Sequence, residues 1–527
     1  MTSSWRRAID NFERSFPFVA RPLRKPAADL WYRSLALWYR SLALWYRLLH
    51  PSVILHAISG KIWDGASRYR PLLYKRPNQM SIWQRAERQL LRFFLAFPDP
   101  FFRRTFNRLD QALGRLTADG LATADDRSGI AMMIGSLYAG GAERQVVFTV
   151  RGLKARGHEP VSVACVYLDT PAQRFFLPRL EASGVSVRLI GSDPVDAVGL
   201  AIEELIRALP RSLHMVVDYA SSLAARRPRI AHFWLDEVNI KGGIAAALTG
   251  VPRIVLSQRN IPPQNFRFHA PYMREAYRWL ARQPGVVMVN NSRAGANAYE
   301  RWLGLPAGTI RVVHNGFDFT DEMLRGYRVG KGSYRAELGI PADAPLLGGV
   351  LRFSEEKRPL LWLEVAAAVR CRIAEAHFLL IGEGQLSPNV AHRAQRADLV
   401  GAIHLPGAEK DSLRAMADMD LFLLTSRAEG LPNVLVEAQA VGTPVVTPPV
   451  GGAPETVRHG ITGWILAQDD PEHIAEKIVE LLHDQAWRKK ASQEAPEFVK
   501  TTFGIDRAID ETVAVYQGEP TIKTKSH

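Results

Sequence analysis

Two carboxylates, Glu429 and Glu437, stand eight positions apart in the stretch TSRAEGLPNVLVEAQAVGTPVV, residues 425–446. Between them lie Gly430, Leu431, Pro432 and Asn433. A helix opening at Pro432 leaves the N–H groups of Gly430, Leu431 and Asn433 free, and its positive end favours an anion there. Carboxylates accept hydrogen bonds from sugar hydroxyls, while backbone donors hold a phosphate. Together they predict a site for a nucleotide sugar. Arg352 and Lys357, five apart, add a rigid fork for phosphate oxygens and a mobile point charge, both able to reach one diphosphate.

These groups need a scaffold that brings them to one place. An apolar run, Leu421–Leu424, enters the acidic turn. Pro432 suits a first helical position, because its missing N–H is not needed there. The helix carries Glu437 and stops at Gly442, and Pro444 leads into a strand at Val445–Val446. That order makes a unit of a parallel α/β sheet, whose ligands gather outside the carboxyl ends of the strands. Leu346–Val350 reads as the strand before Arg352. Phe378–Ile381 reads as the strand before Gly382-Glu383-Gly384, which with His404–Gly407 is expected to flank a nucleobase. Nearer the N-terminus come strand Ile130–Ile134, turn Gly135–Gly141, helix Ala142–Arg156 and strand Pro160–Tyr167, then strands at Ile230–Phe233 and Arg253–Leu256. Gly140 and Gly141 permit a tight turn that brings helix N–H groups close to a ligand. Asp318–Gly332 reads as a hinge and linker.

The E-x7-E pair followed by the Gly442–Val446 strand entry resembles the donor-binding motif of the retaining family 4 (GT4) glycosyltransferases, which have the two-domain GT-B fold. GGAPETVRHGITGWI, residues 451–465, resembles the next stretch of that family. The G-x-L-R-x-x-x-x-K pattern ending at Lys357 precedes the acidic pair at the distance the family shows. The resemblance covers residues 129–518. It implies an α/β fold of two Rossmann-like parallel-sheet domains facing a cleft, with an acceptor-side domain at 129–325 and a nucleotide-sugar domain at 333–500. A terminal helix at 501–518 would pack back on the first domain.

The resemblance also assigns roles. Glu437 would hold the ribose hydroxyls of a UDP-sugar and Glu429 the sugar hydroxyls, while Arg352 and Lys357 stabilise the leaving diphosphate. Gly140 and Gly141 belong to the loop that closes over diphosphate and acceptor. Many members place a histidine where this chain runs Ser257-Gln258-Arg259-Asn260; Arg259 instead offers a charge to the donor phosphate or an anionic acceptor. His232, read at the end of the preceding strand, is the nearest histidine to line the cleft. Retention without an evident nucleophile implies attack on the face the phosphate leaves, with the phosphate taking the acceptor's proton. The S-x-R-N string and NSRAGANAYERWLG, residues 291–304, resemble glycosyltransferases of bacterial capsule assembly, the Vi-antigen polysaccharide enzymes among them.

Asp418-Met419-Asp420 matches the D-x-D string by which a different glycosyltransferase fold holds a divalent metal. Here it precedes a strand and so sits at the amino end, away from the cleft. No His/Cys cluster or H-E-x-x-H string is present. The site is expected to need neither metal nor cofactor.

At 527 residues and 47% hydrophobic content, the chain is long enough for two sizeable cores. Two cysteines, Cys165 and Cys371, exclude a disulfide framework and fit a reducing compartment. The net charge of +14 is concentrated: residues 1–128 hold 22 Lys and Arg against 10 Asp and Glu, and residues 129–527 hold 45 against 43. This N-terminal helical extension repeats WYRSLAL at 31–37 and 38–44 and restarts with WYR at 45–47. A seven-residue repeat suits a helix with a broad Trp/Tyr face. A coiled coil would prefer Leu, Ile and Val at its seam. Basic residues among aromatics also describe a nucleic-acid tail, and a tolerated surface helix is the plain alternative. The expectation taken is a helix in the membrane interface, its cations toward anionic headgroups. The segments Trp83–Phe97 and Phe101–Leu113 read as helices that join this contact or pack on the catalytic part.

No apolar run reaches the length of a membrane span, and the N-terminus has no signal-peptide core. The expected place is the cytoplasm, peripheral on the inner face of the cytoplasmic membrane. Expected partners are a UDP-sugar, a lipid-linked saccharide or polysaccharide acceptor, an anionic membrane surface and other polysaccharide-synthesis proteins, with no nucleic acid. Two other classes stay open: a non-catalytic GT-B scaffold subunit of a polysaccharide assembly complex, and a sugar-nucleotide epimerase.

Overall fold

The computed structural model describes residues 100–118, 127–194, 198–207, 209–266 and 269–518. The WYRSLAL repeat and Trp83–Phe97 lie outside them. The described chain builds two sheets. The first has strands β1 (Ile130–Ile134), β2 (Val161–Cys165), β3 (Val187–Leu189), β4 (Ile230–Trp234), β5 (Arg253–Gln258), β6 (Val286–Asn290) and β7 (Arg311–Val312), in the order β3-β2-β1-β4-β5-β6-β7. The second has β8 (Leu346–Val350), β9 (His377–Ile381), β10 (Ile403–His404), β11 (Leu421–Leu423), β12 (Val445–Thr447) and β13 (Gly463–Ile465), in the order β10-β9-β8-β11-β12-β13. Neighbouring strands run parallel throughout. Central strands such as β1, IAMMI, are apolar at every position and buried at every position, as a sheet covered on both faces requires.

In each sheet the strand order reverses beside its first strand, between β1 and β4 and between β8 and β11. A crevice opens at such a reversal, outside the carboxyl ends. The loops after β1, β4, β8 and β11 are therefore the ones placed to line a site.

The chain crosses between the domains twice, and the crossings pair. Phe317 N–H donates to the Phe503 carbonyl at 2.9 Å, and Ile505 N–H to the Phe317 carbonyl at 3.0 Å. Gly316 is needed there, since a Cβ would come within 2.6 Å of the Ala508 methyl. The last helix, Ile505–Gln517, leans on the first domain, with Ile509 against Gly152 and Arg156 paired with Asp506 at 2.9 Å. The expected 318–332 linker is partly helical instead. Asp321–Val329 forms a helix because Leu324 buries in the second domain's core.

The helix Pro100–Ala118 settles one of the sequence alternatives. Phe102, Phe106, Leu109 and Leu113 share one face and join the first domain's core. Asp110 accepts from Trp279 Nε1 at 3.2 Å and Gln283 Nε2 at 3.1 Å. This part of the basic extension packs on the α/β body. Among the described residues, no helix is long and apolar enough to cross a membrane.

Candidate functional site

The loops after β8 and β11 are sewn together. Thr425 Oγ1 donates to the Lys357 carbonyl at 3.0 Å, and Arg427 N–H to the Glu356 carbonyl at 2.7 Å. This brings Lys357 Nζ to 2.6 Å from Glu429 Oε1, with Glu429 buried. Arg352 stands exposed two residues past β8. Gly382 has φ +142, and a Cβ on it would meet the Leu351 carbonyl at 1.9 Å; one on Gly384 would meet the Phe353 carbonyl at 2.5 Å. These glycines let the loop after β9 close onto the loop after β8, so they shape the cleft through backbone contact.

The helix carrying Glu437 runs Asn433–Ala440, with Pro432 as its N-cap and Gly442 at φ +90 just past its end. Glu437 is buried. The Leu431 side chain enters the second domain's core, leaving its backbone as the part that can face a ligand. Gly430 lies so near the first domain that a Cβ would come within 2.3 Å of the Arg259 carbonyl. Asn433 Oδ1 accepts from Asn315 Nδ2 at 2.6 Å. A Cβ on Gly141 would meet Asn433 Nδ2 at 2.9 Å. The turn after β1 and the acidic helix thus face each other directly.

The first turn of the helix Gly141–Ala155 supplies three side chains that the sequence reading did not single out. Arg144 Nη2 donates to Glu437 Oε1, an ion pair across the cleft. Glu143 folds back over Gly140, where an added Cβ would meet its Oε2 at 2.1 Å. Burial raises the Glu143 carboxyl above its ordinary value, against its own backbone N–H and the charge of Arg352. Gln145 exchanges hydrogen bonds with the Gly316 backbone at 2.8 and 2.9 Å, tying this helix to the crossover. The available signal was an acid and a base side by side in the first turn behind a glycine pair.

Arg259 follows β5 directly. It donates to Asn315 Oδ1 at 3.0 Å and Ser257 Oγ at 2.9 Å, and its guanidinium carbon lies 3.8 Å from the Trp234 ring centroid. Burial pulls it down to about 9, which leaves it cationic at neutral pH. His232 lies inside its strand rather than at the end. It is the third residue of β4, whose carboxyl end is Trp234, and the terminal helix covers it. Its Nδ1 lies 2.8 Å from the Tyr516 hydroxyl, and its ring stacks on Trp234 at 4.8 Å. Burial, with the charge of Arg259 beside it, holds its pKa well below the ordinary value, so the ring is neutral, and its Nε2 is buried without a hydrogen-bond partner.

Asp418 accepts from the N–H groups of Tyr334 and Arg335 at 2.8 and 2.9 Å, and Asp420 from Arg335 Nη2 at 2.7 Å and Leu346 N–H at 2.8 Å. Both aspartates are committed to fastening the short helix Ser333–Glu337 to the amino end of the second sheet.

Glycosyltransferase Family 4 matches residues 139–321, and Glycosyl transferases group 1 matches residues 331–498. The Vi polysaccharide biosynthesis protein VipC/TviE of Salmonella typhi is 30% identical over 424 residues, covering 74% of this chain and 72% of that protein. A D-inositol 3-phosphate glycosyltransferase of Streptomyces griseus is 27% identical over 369 residues, 64% of this chain and 76% of its own. Among solved structures, Anabaena HepE in complex with UDP and glucose superposes with a TM-score of 0.61 at 21% identity, covering 74% of this chain and 100% of that one. That last likeness is one of fold.

Proposed function

Because this chain belongs to glycosyltransferase family 4 and has the GT-B fold, we propose that it is a retaining transferase acting in surface polysaccharide synthesis. It moves a sugar from a UDP-sugar to a lipid-linked or polysaccharide acceptor. One observation carries this reading: Lys357 pairs with Glu429, and Arg144 from the first domain pairs with Glu437, eight positions further on. The Vi polysaccharide protein supports the polysaccharide assignment, and the fold neighbour solved with UDP and glucose agrees with UDP as the nucleotide.

In this mechanism Glu437 holds the ribose and Glu429 the transferred sugar. The sugar's C1–O bond to the diphosphate breaks while the acceptor oxygen bonds C1 from the same face. The acceptor's proton passes to the departing phosphate oxygen. Negative charge gathers on the diphosphate, where Arg352, Lys357 and the Asn433–Ala440 helix start stabilise it. Arg259 keeps a cation on the first-domain wall.

The test is to incubate purified protein and bacterial membranes with radiolabelled UDP- and GDP-sugars. Label from a UDP-sugar should enter lipid or polysaccharide with the anomeric configuration kept. Nucleotide binding without transfer from any donor would point to a scaffold subunit. Conversion of the donor into another nucleotide sugar would point to an epimerase.

A further inference from the structure

Arg144 belongs to the first domain, yet its guanidinium rests on a carboxylate of the second, Glu437 Oε1. The Glu437 side chain is 6% exposed and that of Arg144 31%. Arg144 Nε is buried and has no hydrogen-bond partner. The guanidinium therefore has donor capacity left over beside the glycine turn after β1.

Glu437 cannot serve two partners equally. Ribose hydroxyls that donate to its carboxylate compete with Arg144 for the same oxygens. The donor that displaces the guanidinium also brings its replacement, since the diphosphate follows the ribose and carries the negative charge. A half-buried cation losing its carboxylate is costly to leave unpaired, and arginine's planar fork suits phosphate oxygens. We infer that Arg144 is a diphosphate ligand contributed by the first domain, one that exchanges Glu437 for phosphate oxygens when the donor binds. This rests on the reading of Glu437 as the ribose carboxylate. Its consequence is that the charge cradle is complete only when the domains face each other: Arg352 and Lys357 come from one, Arg144 from the other.

The exchange gives the nucleoside and the diphosphate opposite responses to one substitution. Uridine meets only the competition for Glu437; UDP also meets the guanidinium. The experiment is calorimetric titration of full-length wild type, Arg144→Met and Arg144→Lys with uridine and with UDP. Arg144→Met keeps the apolar stem. In it, uridine should bind as well as to wild type or better, while the gain in affinity from uridine to UDP should shrink about tenfold or more. Arg144→Lys should restore part of that gain. If Arg144→Met changes uridine and UDP by the same factor, or changes neither, the assignment is wrong and the ion pair is only a clasp between domains. If wild type binds neither UDP nor GDP, the donor-site reading itself fails, a result separate from the first.

Discussion

Lys357 Nζ donates to Glu429 Oε1 at 2.6 Å, so the cation proposed for the phosphate and the carboxylate proposed for the sugar neutralise each other. Their loops leave different strands, β8 and β11, and meet because the sheet reverses its order between them. Desolvating either charge alone would be costly, and the pairing offsets that cost.

The pair should act as a unit in turnover. Lys357→Ala and Glu429→Gln should each remove about 2–4 kcal/mol of transition-state stabilisation. The double variant should lose clearly less than the two losses added together. Donor kinetics of the three variants measure this, with thermal melts to confirm folding. Near-normal turnover in both single variants would remove the main argument for the site.

Glu143 makes donor binding depend on pH in a predictable direction. Its carboxylate lies over Gly140, where a phosphate would meet the helix N-terminus, and burial has already raised its pKa. A diphosphate arriving there repels the carboxylate and raises that pKa further. Binding therefore takes up a proton, and lowering the pH favours it. The terminal phosphate of UDP takes up its own proton near about pH 6, which opposes the trend, so the comparison must be between variants. Relative to Glu143→Gln, wild type should gain UDP affinity as pH falls from about 8 to about 5.5. Parallel curves for the two proteins would show that Glu143 does not face the nucleotide.

The aspartates of the D-x-D string should prove structural. Asp418 is buried and takes backbone donors from the Ser333–Glu337 helix start. Asp418→Ala leaves those donors without a partner and should cost about 2–4 kcal/mol in stability. Transfer by the wild type should survive EDTA. Loss of transfer with EDTA and recovery with manganese would overturn the metal-free mechanism.

Much of the second domain's site was legible in the sequence, because its information is local. Pro432 and Gly442 bracket a helix whatever surrounds them, and the apolar runs before Arg352 and Glu429 can only be buried strands. Arg144 and Asn315 were not legible. Each acquires its partner, Glu437 or Asn433, from more than 100 residues away, and no spacing records such a meeting. The surroundings of His232 were hidden for a related reason. A histidine two residues inside a strand end gives no hint that a helix near the C-terminus will bring Tyr516 onto its Nδ1. The Leu324 helix was lost to a rule of thumb, because a polar stretch between domains reads as linker until one buried side chain anchors it.

The same contact logic decides where the basic extension can be cut. Phe102, Phe106, Leu109 and Leu113 bury in the first domain's core, and each contributes about 1.5–3 kcal/mol as apolar burial. Removing residues 1–128 should therefore leave an exposed apolar patch and a protein that melts early or aggregates. Removing residues 1–99 keeps the Pro100–Ala118 helix and should leave a stable body that still transfers to a short soluble acceptor. What it should lose is the membrane. Of the 22 Lys and Arg in residues 1–128, most precede Pro100, and each held near an anionic leaflet contributes about 1 kcal/mol, screened by salt. Full-length protein should float with phosphatidylserine-containing vesicles at low salt and be partly released at high salt, the Trp/Tyr repeat keeping a remnant bound. The shortened protein should not float at either. If full-length protein ignores such vesicles but binds RNA with a steep salt slope, the extension is a nucleic-acid tail instead.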